Sequence, residues 1–331
     1  MNKPKINIII ITYNRGEYLD LTLAGYVNQT ENDFEIIVID GASTDTTQDV
    51  INKYKRYIKI NHIQVGRVSR SEGRNIALNN CTSKYIIIAD DDRIPCNTFV
   101  SNHYDKINKK KNIVSIGRKG TLYTKYSPEI IYKPQYLSQI PKDRLNICKS
   151  TAKMLVTSHE IINDFDTILR EVYAGESRDN YFDVINSFGS QLRGFDMGWA
   201  IATTGNLAIN IENAKHILFE ENFQGWGMED TEFAYQLHKL GYGFEYNFDA
   251  INFHQQHERP KSNMDDLKKN MKYFIKKHST IEAYLFLMIF AIEDYSFGVV
   301  DSNNLLKLYN YTESKEIELI VKYMVDTYLN I

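Results

Sequence analysis

The sequence predicts a doubly wound α/β fold, a mostly parallel central sheet flanked by helices, with a C-terminal helical extension. Three observations carry this reading. Apolar runs of strand length recur through residues 1–117, helical patterns separate them, and each run ends in a polar, chemically specific tip. Runs rich in β-branched residues suit strands buried on both faces of a parallel sheet, and in such sheets ligands bind beyond the carboxyl ends of the strands.

The elements follow in order. Residues 6–11 form the first run, which ends in Thr12-Tyr13-Asn14-Arg15, and Leu19, Leu23, Tyr26 and Val27 then share one helical face. The second run, 34–40, ends in Asp40-Gly41-Ala42-Ser43-Thr44-Asp45, before a stripe of Val50, Ile51 and Tyr54. After the third, 60–65, come Arg67 and Arg70, with Glu72-Gly73-Arg74-Asn75 opening a helix. The fourth, 84–89, ends in Asp90-Asp91-Asp92, and a fifth covers 113–117. All four tips are expected at one edge of the sheet.

From 118 to about 200 the periodicity fades into loops and short helices. Order returns at Thr203-Thr204-Gly205-Asn206-Leu207-Ala208. Gly225-Trp226-Gly227-Met228-Glu229-Asp230 then opens a helix that stops at Gly241, where a left-handed glycine ends helices well. A strand-like 242–248 leads to Asn252-Phe253-His254-Gln255-Gln256-His257, and 261–331 reads as helical throughout.

Composition narrows the function classes. Thirty-nine basic against 42 acidic residues give a net charge of -3, which argues against a nucleic-acid partner. Cys81, Cys96 and Cys148 show no paired spacing, so a cytoplasmic, reducing setting is expected. The apolar stretch 283–292 is too short to span a bilayer; a buried helix is expected there, with peripheral membrane contact as the alternative. No Walker-type loop and no GxGxxG fingerprint follows these strands, which argues against P-loop and nicotinamide chemistry.

Each candidate site residue has an ordinary reading beside the functional one. An isolated acidic triplet is usually a solvated turn; at the ligand edge of a sheet, Asp90 and Asp92 suit a ribose or base and a divalent cation. Acids at a helix start are favoured by the dipole, yet Glu229-Asp230 behind a glycine-flanked tryptophan also suits a general base with an aromatic wall. Of His254 and His257, one is expected as a metal ligand, and His254 is favoured; a carboxylate-plus-imidazole shell suits Mn²⁺ better than Mg²⁺. Asp40 suits the N3–H of a uracil with Tyr13 stacked on the ring, and Arg70 or Arg74 suits base or phosphates. The ordinary readings there are a helix cap and surface charge.

Taken together, Thr12-Tyr13-Asn14-Arg15, 38–45, Arg74-Asn75 and Asp90-Asp91-Asp92 resemble family 2 glycosyltransferases of the GT-A fold. Phe219-Glu220-Glu221-Asn222-Phe223 followed by 225–230 is similar to the segment in chondroitin-type polymerases and β-1,4-galactosyltransferases. The resemblance covers roughly 5–258. It implies an inverting transfer from a UDP-sugar, aided by Mn²⁺ or Mg²⁺. By position, Asp40 resembles the uracil-binding Asp and Asp90 the residue near the ribose. Asp92 and His254 resemble the metal ligands, Asp230 the catalytic base, and Glu229 a residue binding acceptor or donor hydroxyls. Gly205-Asn206 resembles a segment lining the sugar pocket. The donor site is thus expected from Thr12, Tyr13, Arg15, Asp40, Arg70, Arg74, Asp90, Asp91, Gly205, Asn206 and Trp226. Residues 1–117 form the expected nucleotide-sugar half, 118–260 the acceptor and catalytic half of the same domain, and 261–331 the helical extension, a candidate dimer contact. The family's usual second Asp after Asp40 is Gly41 here, and 118–200 matches no family pattern. The acceptor class stays open among glycans, lipid-linked sugars and proteins or peptides. Two alternatives are a sugar-nucleotide nucleotidyltransferase, which would need a Gly-rich basic loop after strand one, and a non-catalytic glycan-binding relative.

Overall fold

The structure, a computed structural model, describes residues 3–145, 152–258, 264–292 and 297–331; Cys148 lies outside them. β1 (Ile6–Thr12), β2 (Phe34–Asp40), β3 (Ile60–Gln64) and β4 (Tyr85–Ala89) alternate with α1 (Gly16–Val27), α2 (Thr47–Tyr54) and α3 (Arg70–Asn80). β5 (Arg93–Pro95), α4 (Phe99–Lys109) and β6 (Ile113–Leu122) follow. The irregular stretch holds β7 (Lys125–Tyr126), α5 (Pro134–Leu137), α6 (Lys142–Leu145), β8 (Lys153–Met154), α7 (Ser158–Asn163), α8 (Phe165–Val172), β9 (Tyr173–Glu176) and α9 (Phe182–Phe188). Then come β10 (Asn206–Asn210), α10 (Glu229–Lys239), β11 (Gly243–Gln255), α11 (Met264–His278), α12 (Ile281–Ala291), α13 (Val299–Thr312) and α14 (Lys315–Leu329).

The main sheet runs β3-β2-β1-β4-β10-β6-β11-β5, with β9 on β6. β1 pairs in parallel with β2 and β4, and β6 with β11, while β10 inserts antiparallel between β4 and β6. Alternate residues of β1 face opposite cores: Ile6, Ile8 and Ile10 pack under α1, α2 and α4, and Ile9 packs with α3, α10, α11 and α12. Both faces are dry, as expected from a continuous apolar run.

Three expectations change. β3 is the sheet's edge and only half-buried, which its interior polar residues Asn61 and His62 permit. β6 runs through Gly117 to Leu122, so one strand crosses the 117/118 division. β11 does not stop at 248; it resumes beyond an irregularity between Asn247 and Ile251 and places His254 on the strand itself. The apolar α12 is a buried helix: Ala283, Leu285 and Leu287 are fully covered, with α13 and α14 packed over it. Among the described residues, no helix is long and apolar enough to cross a membrane.

Candidate active site

A cleft of about 1160 Å³ opens at the carboxyl edge of β1 and β4. Twelve of the expected residues line it: Thr12, Tyr13, Arg15, Arg70, Arg74, Asp90, Asp91, Asp92, Trp226, Glu229, Asp230 and His254.

The acidic triplet divides its work. Asp91 points inward, where Thr12 Oγ1 donates to its Oδ2 at 2.7 Å and Arg15 Nε lies 3.2 Å from Oδ1. Thr22 Oγ1 donates to its backbone carbonyl at 2.8 Å, so Asp91 ties β1 and α1 to the β4 tip. Burial pushes its carboxyl up, against the pull of Arg15. Asp90 sits between two buried guanidiniums, with Arg93 Nε at 3.3 Å and Arg74 Nη2 at 3.6 Å. Arg93 was not singled out in the sequence; its place directly after the triplet was the available signal.

Asp92 faces both histidines, His257 Nε2 at 3.2 Å and His254 Nε2 at 3.7 Å, and accepts from Arg15 Nη2 at 2.6 Å. Burial opposes its ionisation, but His254, His257 and Arg15 hold the carboxyl well below the usual range. Donor atoms of Asp92, His254 and His257 lie within 4.8 Å of one another. Asp92 Oδ1 is buried with no hydrogen-bond partner, an acceptor left over for a cation. One carboxylate and two imidazoles suit a first-row ion such as Mn²⁺ better than Mg²⁺. Against the expected single histidine, the structure brings both to one carboxylate: β11 ends at Gln255, and the chain beyond it returns His257 to Asp92.

Opposite this group stands the start of α10. Asp230 accepts from Thr204 Oγ1 at 2.7 Å and Thr204 N at 3.2 Å, while Arg74 Nη1 lies 3.1 Å from its Oδ1. Glu229 is 3.7 Å from the same Nη1, and burial together with the Asp230 charge pushes its carboxyl up. Arg74 is held there by α3, whose start is fixed by a capping box: Ser69 Oγ accepts from Glu72 N, and Glu72 Oε2 accepts from Ser69 N. Arg70, one turn earlier on the same face, donates to the Gly225 carbonyl at 3.2 Å. At the other rim Tyr13 is 40% exposed, with Arg67 stacked 3.6 Å from its ring centroid. That cationic platform was visible in the sequence only as an arginine after the third run.

Three expected residues are not on the cleft wall. Asp40 is wholly buried; Ser43 N donates to its Oδ1 at 2.9 Å, and His62 Nε2 is 3.4 Å from Oδ2, so its neighbours Ile39 and Gly41 face the cleft instead. Asn206 is corrected to a structural role: its amide donates to the Arg118 and Ala250 carbonyls and accepts from His103, leaving nothing for a ligand. Gly205 lies behind Asp90, where any Cβ would sit 2.6 Å from Asp90 Oδ2 and 2.5 Å from Arg93 Nε. Its smallness admits the Asp90–Arg93 pair.

Known proteins resemble this chain in sequence and in fold. Residues 7–165 match the Glycosyl transferase family 2 model. The chain is 25% identical over 295 residues to the uncharacterized glycosyltransferase YfnE of Bacillus subtilis, covering 84% of this chain and 72% of that one. It is 26% identical over 301 residues to the chondroitin synthase of Pasteurella multocida, covering 87% of this chain but only 28% of the synthase. In structure it is similar to S. aureus TarS 1-349 in complex with UDP-GlcNAc, with a TM-score of 0.54 at 14% identity over 98% of this chain and 80% of that one. The mannosyltransferase PcManGT of Pyrobaculum calidifontis, in complex with GDP-Man and Mn²⁺, gives 0.50 at 14% identity, covering 99% and 86%. With its motifs in one cleft, its N-terminal half matching the family model and these likenesses along its length, the chain is similar to the family 2 glycosyltransferases and has the GT-A fold.

Proposed function

We propose that this glycosyltransferase moves a sugar from a UDP-sugar to an acceptor hydroxyl with inversion at the anomeric carbon. The observation that carries the reading is the pairing, across one cleft, of the Asp92–His254–His257 group with the Glu229–Asp230 helix start, which Arg74 ties to Asp90 beside that group. The cleft has room for a nucleoside diphosphate sugar. TarS in complex with UDP-GlcNAc supports a UDP-linked donor, and relatives such as chondroitin synthase support a glycan acceptor ahead of a lipid-linked or protein one. A divalent cation held by Asp92, His254 and His257 would neutralise charge on the departing diphosphate.

The chain's own groups supply the rest. Tyr13 offers the base a ring to stack on, with Arg67 behind it, and Arg15 and Arg70 bring positive charge to the phosphates. Asp230, oriented by Thr204, takes the proton of the acceptor hydroxyl as that oxygen attacks opposite the leaving UDP. Glu229 binds a hydroxyl of donor or acceptor. One displacement inverts the configuration, with no covalent sugar–enzyme intermediate. In this reading 1–117 hold the donor and 118–260 the acceptor, in a reducing cytoplasm. The test is a screen of UDP-sugars with Mn²⁺ for UDP release and thermal shift. A sugar-specific response is expected, whereas no response to any nucleotide sugar would reject the reading.

A further inference from the structure

The loop that carries Trp226 owes its shape to the C-terminal extension. Gly225, Gly227 and Met228 all adopt left-handed backbone, with φ of +71°, +98° and +75°. Such a run does not hold itself in place, because local sterics favour other conformations, most strongly at the non-glycine Met228. Arg70 reaches its Gly225 carbonyl from the cleft side, and among the described residues the remaining side-chain hydrogen bonds to its backbone come from one buried residue on α11. Asn270 Nδ2 donates to the carbonyls of Gln224 at 3.0 Å, Gly227 at 2.8 Å and Trp226 at 3.4 Å, and Asn270 Oδ1 accepts from Gln224 N at 3.2 Å. The glycines permit the approach: a Cβ on Gly225 would overlap the Asp266 carboxylate, and one on Gly227 would lie 2.8 Å from Leu267 Cδ1. Asp266, from the same helix, also lines the cleft.

We infer that Asn270 is a positioning residue, a clasp through which the C-terminal extension fixes the Trp226 wall beside Glu229 and Asp230. The extension thereby completes the catalytic cleft rather than merely covering the core. This rests on the glycosyl-transfer reading for its effect on rate, but the clasp itself can be tested without it. Trp226 is 44% exposed and the only other tryptophan, Trp199, is fully buried, so quenchable tryptophan emission reports on the loop.

The experiment compares the full-length wild type with Asn270→Ala and Asn270→Asp. The Asp variant keeps the shape and the acceptor for Gln224 N but cannot donate to the three carbonyls, which protects the test against a cavity effect. Acrylamide quenching is expected to rise in both variants, with Trp226→Phe as the control that removes the signal. Transfer is expected to fall about 10- to 100-fold, as for a misplaced catalytic wall. The gain in melting temperature from UDP with Mn²⁺ should fall far less than transfer does, since Tyr13, Arg15 and the Asp92 group sit on other loops and only Arg70 touches this one. Unchanged quenching, or unchanged transfer, in a folded Asn270→Asp protein overturns the inference. A wild type that releases UDP from no donor would reject the transferase reading instead, while the quenching comparison still decides on the clasp.

Discussion

The Arg74 guanidinium lies 3.1 Å from the Asp230 carboxylate, buried at the centre of the cleft, and the same side chain reaches Asp90 at 3.6 Å and Glu229 at 3.7 Å. One cation therefore links the acidic tip of β4 to the start of α10. Without it three carboxylates would face one another with only Arg93, beside Asp90, to offset them. Arg74→Ala is expected to lose about 3 kcal/mol of stability, the scale for stranding buried charge, together with transfer activity. Arg74→Lys should recover part of the stability but little activity, because an ammonium cannot span three carboxylates as a guanidinium fork does. Chemical denaturation and UDP release measure the two effects.

The proposed cation site at Asp92 predicts metal dependence. Chelator should abolish transfer and Mn²⁺ should restore it, and UDP should raise the melting temperature mainly when metal is present. Asp92→Ala should erase that metal-dependent gain. His254→Ala and His257→Ala should each weaken the Mn²⁺ requirement curve by about tenfold or more, because both imidazoles face the same carboxylate. A normal Mn²⁺ response in His257→Ala would restore the single-histidine expectation.

Much of this was legible in the residues because the informative positions sit at strand ends. A β-branched run followed by Asp90-Asp91-Asp92 already implies a strand tip at the ligand edge, and the Trp226–Asp230 segment implies a helix start. Local sequence does not reveal pairing across the sheet. That β11 resumes past residue 250, and so brings His257 onto Asp92, depends on its register with β6. Asn206 misled for the same reason: beside Gly205 it reads as pocket lining, yet β10 is an inserted antiparallel strand and its amide is consumed by α4, β6 and β11. Asn270 carried no signal at all, since its partners are backbone groups more than forty residues away.

His103 gives the fold a pH limit. Its ring is fully buried, with Nε2 donating to Asn206 Oδ1 at 2.7 Å and Nδ1 3.0 Å from Ser115 Oγ. Burial outweighs the Asn206 hydrogen bond and lowers its pKa to about 4, against 6.5 for a free histidine. The neutral ring is thus favoured in the folded state. Its contribution, about 3 kcal/mol, is fully present above pH 6.5 and is lost as pH falls through 4. Unfolding by urea between pH 7 and 4.5 should show this loss, and His103→Gln should flatten that part of the profile.

Removing 261–331 should yield insoluble protein rather than a soluble catalyst with a different donor preference. Met271, Phe274, Leu285 and Leu287 belong to the same core as Trp199 and Tyr235, and deletion would bare that surface. A soluble, fully active 1–260 fragment would contradict both this and the role given to α11.

The most direct test of the central claim is the transfer rate of Asp230→Asn, measured alongside its affinity for the UDP-sugar. The substitution keeps the shape and one of the two hydrogen bonds accepted from Thr204 but removes the charge that, in the proposed mechanism, takes the acceptor's proton. Affinity should change little, because the donor side is built from Tyr13, Arg15 and the Asp92 group. Transfer should fall by roughly two to four orders of magnitude, the range for a lost general base. Wild-type turnover in Asp230→Asn, with Glu229→Gln inactive, would move the base to Glu229; wild-type turnover in both would contradict the assignment of this helix start as the catalytic centre.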